Sequence, residues 1–279
     1  MAVLSACGAD PAPAEESAVQ AQQKMYLSFE ATLTGKREFG EQVPADALAD
    51  VAWRINRSVK GEIVLDMPLP GSIPPSIASD NSMEMMEEGR FTGWTAALPD
   101  DPDVIEKMMT GKLNVASNPM FVPAEFSIDD EVHHRSRDFP SEPFGTTRDQ
   151  TFKGRGKVYI SRSAIVSCDL KGKICDISGL LESGYTDDTD LVTIAENPSD
   201  PGDQGERSTM NPGIMLPKIG ESFGDRLAGI EFQMSGLITT SFSEPHRDTF
   251  LPMGGDAAPV LTVSVNVSPK PAPDINEPR

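Results

Sequence analysis

Long apolar runs are missing from this sequence. None approaches the ~20 consecutive apolar residues that a membrane-spanning helix needs. Any attachment to a membrane is therefore expected to come from lipid or from a partner. Basic side chains are also scarce, 24 against 43 acidic ones, which leaves a formal net charge of −19. Such a field repels nucleic acid and anionic lipid surfaces at long range, and no basic domain stands out, so nucleic acid is excluded as a partner. The plain reading of the charge is solubility. Short catalytic motifs are absent too. There is no GxSxG, no phosphate-cradling GxxxxGK[ST], no dinucleotide GxGxxG between strand and helix, and no HExxH. Gly154-Arg155-Gly156 falls inside a strand pattern and is no phosphate loop. Aromatic content is low at 6%, whereas proline (24) and glycine (23) are plentiful, as many turns between short strands would require, or as ragged tails would.

What is present begins at the amino terminus. Leu4-Ser5-Ala6-Cys7 resembles the lipobox of bacterial lipoproteins. In that family a signal peptidase cuts before the cysteine, which then carries diacylglycerol on sulfur and an acyl chain, such as palmitate, on its new amino group. Ser5 and Ala6 are small, as the cleavage pocket requires. Behind Cys7 runs Pro11-Ala12-Pro13-Ala14-Glu15-Glu16, a polar Pro/Ala-rich stretch that reads as a flexible tether. A signal also needs a basic region and an apolar stretch ahead of the cleavage site, and six residues cannot supply both. The expectation is a start upstream of Met1 or a trimmed chain. The resemblance implies a protein of the bacterial cell envelope, periplasmic or on the outer membrane, held to the membrane through Cys7. The competing reading is a chance match in a cytosolic chain.

Three cysteines leave an odd one in an exported protein. With Cys7 acylated, Cys168 and Cys175 remain as a pair. A turn centred on Lys171-Gly172 sets them opposite each other on adjacent strands, with Val166 opposite Ile177 on the same face. A two-residue loop would place the pair at the wider, hydrogen-bonded kind of site. A four-residue loop, Leu170 to Lys173, gives the closer kind and suits a disulfide better. In a cytosolic chain the two would be free thiols.

The body reads as mainly β, an antiparallel sandwich or open barrel with one or two short helices. Its bounds are a tether over 1–23, a globular part over 24–268 and a disordered tail over 269–279, where prolines exclude helix or inner strand. Met25, Leu27, Phe29, Ala31 and Leu33 alternate as a first strand. From Val51 to Met67 every odd position is apolar except Arg57 and Gly61, which favours strand over the helical spacing of Leu48, Val51, Ala52 and Ile55. Asp101, Pro102 and Gly111 bracket a short helix as cap, first position and stop. Phe152, Gly154, Gly156, Val158 and Ile160 share one face of a strand. The glycines imply a bend or a close backbone approach there, and the Cys hairpin would complete a three-stranded meander. Ile230 to Ile238 and Leu261 to Val267 alternate as two more strands. Ahead of them, 195–220 is an aperiodic loop or internal linker.

Lys153, Arg155 and Lys157 fall on one strand face, with Tyr159 next along it. In so acidic a chain this basic stripe is a candidate seat for an anionic ligand. The favoured reading is plainer: it pairs with acids on neighbouring strands or simply faces water. His133 and His134 lie beside Asp129, Asp130 and Glu131, but adjacent strand residues point to opposite faces and serve one metal poorly. Met83, Met85 and Met86 offer soft ligands for copper, and Asp187-Asp188-Thr189-Asp190 and Asp100–Asp103 offer oxygens for Ca²⁺, without the glycine and terminal glutamate of an EF-hand loop. No metal ligand, cofactor or catalytic residue is assigned. The leading expectation is a non-catalytic envelope lipoprotein that binds a ligand or an envelope protein or plays a structural role. An envelope hydrolase acting on glycans or esters comes second, and a periplasmic metal-handling protein third.

Overall fold

The computed structural model describes residues 24–40, 43–78, 89–181, 190–197, 206–217, 224–233, 236–246 and 257–269. The Leu4–Cys7 motif, the Met83–Met86 run, Asp187, Asp188 and most of the proline-rich tail lie outside these residues.

The chain is mainly β, and its strands form one large antiparallel sheet curled into a half-barrel rather than a two-sheet sandwich. The first pair is β1 (Met25–Arg37) and β2 (Ala49–Leu65), followed by the short β3 (Met67–Pro68) and β4 (Phe91–Thr95). After helix α1 (Pro102–Met109) come β5 (Phe121–Ser136), β6 (Thr146–Ser161), β7 (Ile165–Asp169) and β8 (Ile174–Ser178). The remaining strands are β9 (Val192–Asn197), β10 (Arg207–Met210), β11 (Ile230–Gln233), β12 (Leu237–Pro245) and β13 (Val260–Ser268). Their order across the sheet is β10-β9-β6-β5-β2-β1-β13-β12-β11-β8-β7-β4-β3.

Period-two patterning sets which face turns inward. On β1 the residues Met25, Leu27, Phe29, Ala31 and Leu33 are buried, and the last four lie in register with Val267, Val265, Val263 and Leu261 of β13. The alternation on β2 carries Val51 to Leu65 into the same core. Its two exceptions each have a cause. At Gly61 a side chain would press on the Phe29 ring and Ala124, so the neighbours fill the space instead. Arg57 points inward and is buried beside Asp130 of β5. The limb formed by β4, β7, β8 and β11 brings Trp94, Val166, Ile177 and Phe232 into the same core.

Helix α1 forms as its sequence requires. Asp101 accepts from Asp103 N at 2.9 Å, Pro102 opens the first turn, and Gly111 takes a φ of 64° past the end. Cys168 and Cys175 form a disulfide between β7 and β8, directly opposite each other with Cα atoms 4.1 Å apart. The loop is Leu170 to Lys173, which puts the pair at the close kind of site.

Three expectations are corrected. β6, β7 and β8 are not a meander: β6 lies between β5 and β9, whereas β7 lies between β4 and β8 in the other limb. At Arg162 the chain is held to the end of β5, its amide donating to Met120 O, and it then crosses to the far side. Ile230 to Ile238 is not one strand. A turn at Gly236 (φ 80°) folds it into the hairpin β11–β12, where Phe232 and Ile238 are cross-strand partners, so the alternation survives the reversal. The span 195–220 is not structureless: it holds the end of β9 and all of β10, which pair as an edge hairpin, and the 3-10 turn Pro212–Ile214, which carries Met215 into the core.

Candidate functional site

Strand β6 positions the basic stripe. Phe152, Val158 and Ile160 are buried, so Lys153, Arg155 and Lys157 emerge on the solvent face with half-buried Tyr159 beyond them. Register against β5 sets Lys153 opposite Asp129, Arg155 opposite Ser127, Lys157 opposite Glu125 and Tyr159 opposite Pro123. The next strands continue these rows. Glu125 faces Lys60 of β2, which faces Glu30 of β1, and Ser127 faces Ser58, which faces Thr32. A row of alternating charge thus runs beside a row of hydroxyls that has a guanidinium at its end.

The three cations of the stripe differ in their surroundings. Lys153 Nζ lies 3.4 Å from Asp129 Oδ1. Glu125, the neighbour of Lys157, is engaged by Lys60 at 3.1 Å. Arg155 has a hydroxyl opposite it and makes no ion pair among the described residues. Further along, Arg54 donates to Glu131 and holds that carboxyl below its usual range, against a smaller opposing effect of burial. Lys60, Arg155, Lys157, Ser58 and Ser127 border a groove of about 600 Å³, together with Glu30, Glu125 and Asp190.

Of the two glycines on the inner face of β6, Gly154 meets the close backbone approach expected of it and Gly156 makes room for a side chain instead. Beyond Lys153 the partner strand β9 no longer pairs with β6. Val192 Cα instead comes within 3.1 Å of where a Cβ on Gly154 would stand, and the Asp190 carboxylate occupies the space of a Cβ on Gly156. Asp190 Oδ2 accepts from Lys157 N at 2.7 Å and so caps an otherwise unpaired edge amide.

Other polar clusters are structural. Asp50 is buried, accepts from Arg37 at 2.9 Å, from Arg135 at 2.6 Å and from Gly40 N at 2.9 Å, and ties two hairpins together. Burial raises its carboxyl, but these bonds outweigh burial and leave it below the usual range. Arg135 also stacks over Phe39 and Phe144, at 4.4 and 4.7 Å. His133 bonds Asp149 at 2.7 Å. His134 is held below the usual imidazole range by burial first and by Arg148 second. Among the described residues no three His, Cys, Asp or Glu side chains converge on one point. A second cavity, about 330 Å³, is bordered by Asp176 and Asp225. The Asp176 carboxylate accepts from Ser76 N (2.6 Å), Ser76 Oγ (2.7 Å) and Gly229 N (2.7 Å), which latches two loops onto β8.

No protein-family model matches the chain, and no curated protein is similar to it in sequence. Site assignment therefore rests on geometry. The stripe itself was legible in the sequence. Ser58, Lys60 and Ser127 were not, because only strand register brings β2 and β5 beside β6.

Proposed function

We propose that this is a non-catalytic, lipid-anchored protein of the bacterial cell envelope whose β body binds an anionic ligand in the groove over β6, β5 and β2. The observation that carries this reading is Arg155, an exposed guanidinium that faces Ser127 and makes no ion pair among the described residues, in a groove it shares with Lys157 and Lys60 as well as Glu30, Glu125 and Asp190. A planar fork of donors beside hydroxyls suits the carboxylate, phosphate or sulfate groups of an envelope polymer. Over the whole chain the net charge of −19 opposes diffuse anion binding, which favours a local site over a general one. Anchorage at Cys7 follows from the lipobox resemblance of Leu4–Cys7.

The test compares the native protein with the triple variant Lys153→Gln/Arg155→Gln/Lys157→Gln, using polyphosphate and polygalacturonate as probes in titration calorimetry. Salt-dependent binding by the native chain and at least about tenfold loss in the variant are expected. Equal binding by both removes the groove from the reading. Turnover of a glycan or ester by the native chain would overturn the non-catalytic part of this reading.

A further inference from the structure

We infer that the apolar flank of helix α1 rests on a lipid bilayer and holds the body against the membrane by the end from which the amino-terminal segment departs. The inference rests on the proposed anchorage at Cys7.

Helix α1 has two unlike sides. Val104, Ile105, Met108 and Met109 fall on one side at helical spacing, with Asp103, Glu106 and Lys107 on the other. A helix so patterned normally buries its apolar side against its own protein. Here no residue of the helix is buried. Val104 and Met108 are partly covered, while Ile105 is 38% and Met109 83% exposed. Leu98, just ahead of the helix, is 65% exposed, and Met67 is 37% exposed. Leaving large apolar side chains in water is unfavourable unless something covers them.

Strand register says where this side lies. Met25 opens β1 opposite Leu65 at the end of β2, and Tyr26 pairs with Ser268 at the end of β13. The same end of the sheet holds both flanks of the α1 segment. Ala97 N donates to Asp66 Oδ1 at 2.8 Å, and Arg162 donates to Pro119 O at 3.0 Å and to Met120 O at 2.9 Å. Arg162 also lies 3.8 Å from Asp66. The exposed apolar set thus shares an end of the body with the start of β1, where residues 1–23 join it. The 16 residues from Gly8 to Gln23 span at most about 55 Å, so acylation at Cys7 keeps this end of the body near the bilayer.

The occupant this placement selects is the lipid surface. Helices that lie in the interface bury one apolar side at the boundary of headgroups and acyl chains. The segment carries Asp100, Asp101, Asp103 and Glu106 against Lys107 and Lys112, so an anionic surface gains nothing from its charge, and the apolar side chains supply the attraction to a zwitterionic one.

Cys7 is the one cysteine outside the Cys168–Cys175 disulfide. The full-length protein therefore couples through it to phosphatidylcholine vesicles bearing a maleimide headgroup, whether or not the cell acylates it. Hydrogen exchange of the amides from Ile105 to Thr110 is then compared on and off the vesicles. Exchange about tenfold slower on vesicles is expected, with the difference lost in Ile105→Glu/Met109→Glu. That variant changes no buried side chain, and unchanged exchange in β1 and β2 checks that it folds. Equal exchange on and off the vesicles overturns the inference, as does protection that survives the double variant. Protection with an unmodified Cys7 in the native host retires the anchor and leaves the membrane-facing side. An acylated Cys7 without protection does the reverse.

Discussion

Arg57 and Asp130 form an ion pair inside the apolar face of the sheet, Nε to Oδ2 at 2.6 Å, with both side chains shut off from solvent. Asp130 also accepts from Asn56 N at 3.1 Å, and Arg57 donates to Met215 O at 2.6 Å, so the pair fastens β2 to β5 and holds the turn after β10. Removing one partner leaves a charge buried without compensation. Asp130→Ala is expected to cost about 3–5 kcal/mol in urea unfolding, and the apolar double replacement Arg57→Met/Asp130→Leu distinctly less. A single variant as stable as the parent would show that the pair holds nothing.

Acid should loosen the same body at identifiable places. Asp169 is held below the usual carboxylate range first by Arg90, whose Nε and terminal nitrogen lie 3.1 and 2.9 Å from it, against a smaller upward push from burial. Its folded-state value lies below the unfolded one. The stabilisation is therefore complete above about pH 4 and is lost as pH falls through the folded-state value. Asp50 acts with the same sign. Urea midpoints should fall steeply below about pH 4 in the parent, and Arg90→Gln should flatten that slope. An unchanged slope in the variant would rule out Asp169 as its source.

The disulfide is fully buried at both sulfur-bearing residues. Reductant alone should leave it intact in the folded protein and reduce it once urea opens β7 and β8, as thiol counting against urea concentration will show. Cys168→Ala/Cys175→Ala should lower stability by about 2.5 kcal/mol, the chain-entropy value for so short a loop. A variant of equal stability would mean the bond constrains nothing that the sheet does not already hold.

A methyl group at position 156 has no room, because the Asp190 carboxylate stands there. Gly156→Ala should displace Asp190 from Lys157 N and cost about 1–2 kcal/mol, with faster exchange of the Lys157 amide. Slow exchange retained in the variant would count against the cap.

Acylation at Cys7 is read directly from mass. Expressed in its native host with its natural upstream region, the mature protein should begin at Cys7 and carry acyl chains. A protein with Met1 in place and Cys7 unmodified would end that reading.

Residues legible in the sequence were those whose surroundings repeat along one strand. The alternations of β1, β2, β6 and β13, the caps of α1 and the Cys168–Cys175 register all depend on neighbours a few positions away. Pairing between distant strands left no such trace. Nothing local distinguishes a strand that turns back from one that crosses the half-barrel, so the pattern alone puts β7 beside β6. The β11–β12 turn preserved the inward phase, so Phe232 and Ile238 read as positions on a single strand. Arg57 was visible as an interruption, but its meaning needed Asp130, 73 positions away. The groove suffered the same way: its cations were found, and the hydroxyls of Ser58 and Ser127 were supplied by register alone.

β13 lies between β1 and β12, joining residues as remote as Ser28 and Asn266, 238 positions apart. Until the ribosome has released β13, more than 220 residues after β1, β1 has β2 on one side and a bare row of amides and carbonyls on the other. An edge left open that long invites pairing with other chains, and closing it is a late, slow event because so much chain must be looped out first. Any truncation before Val260 therefore removes more than a tail: it takes the strand that seals the middle of the sheet, and a stop codon there would be felt as aggregation during synthesis.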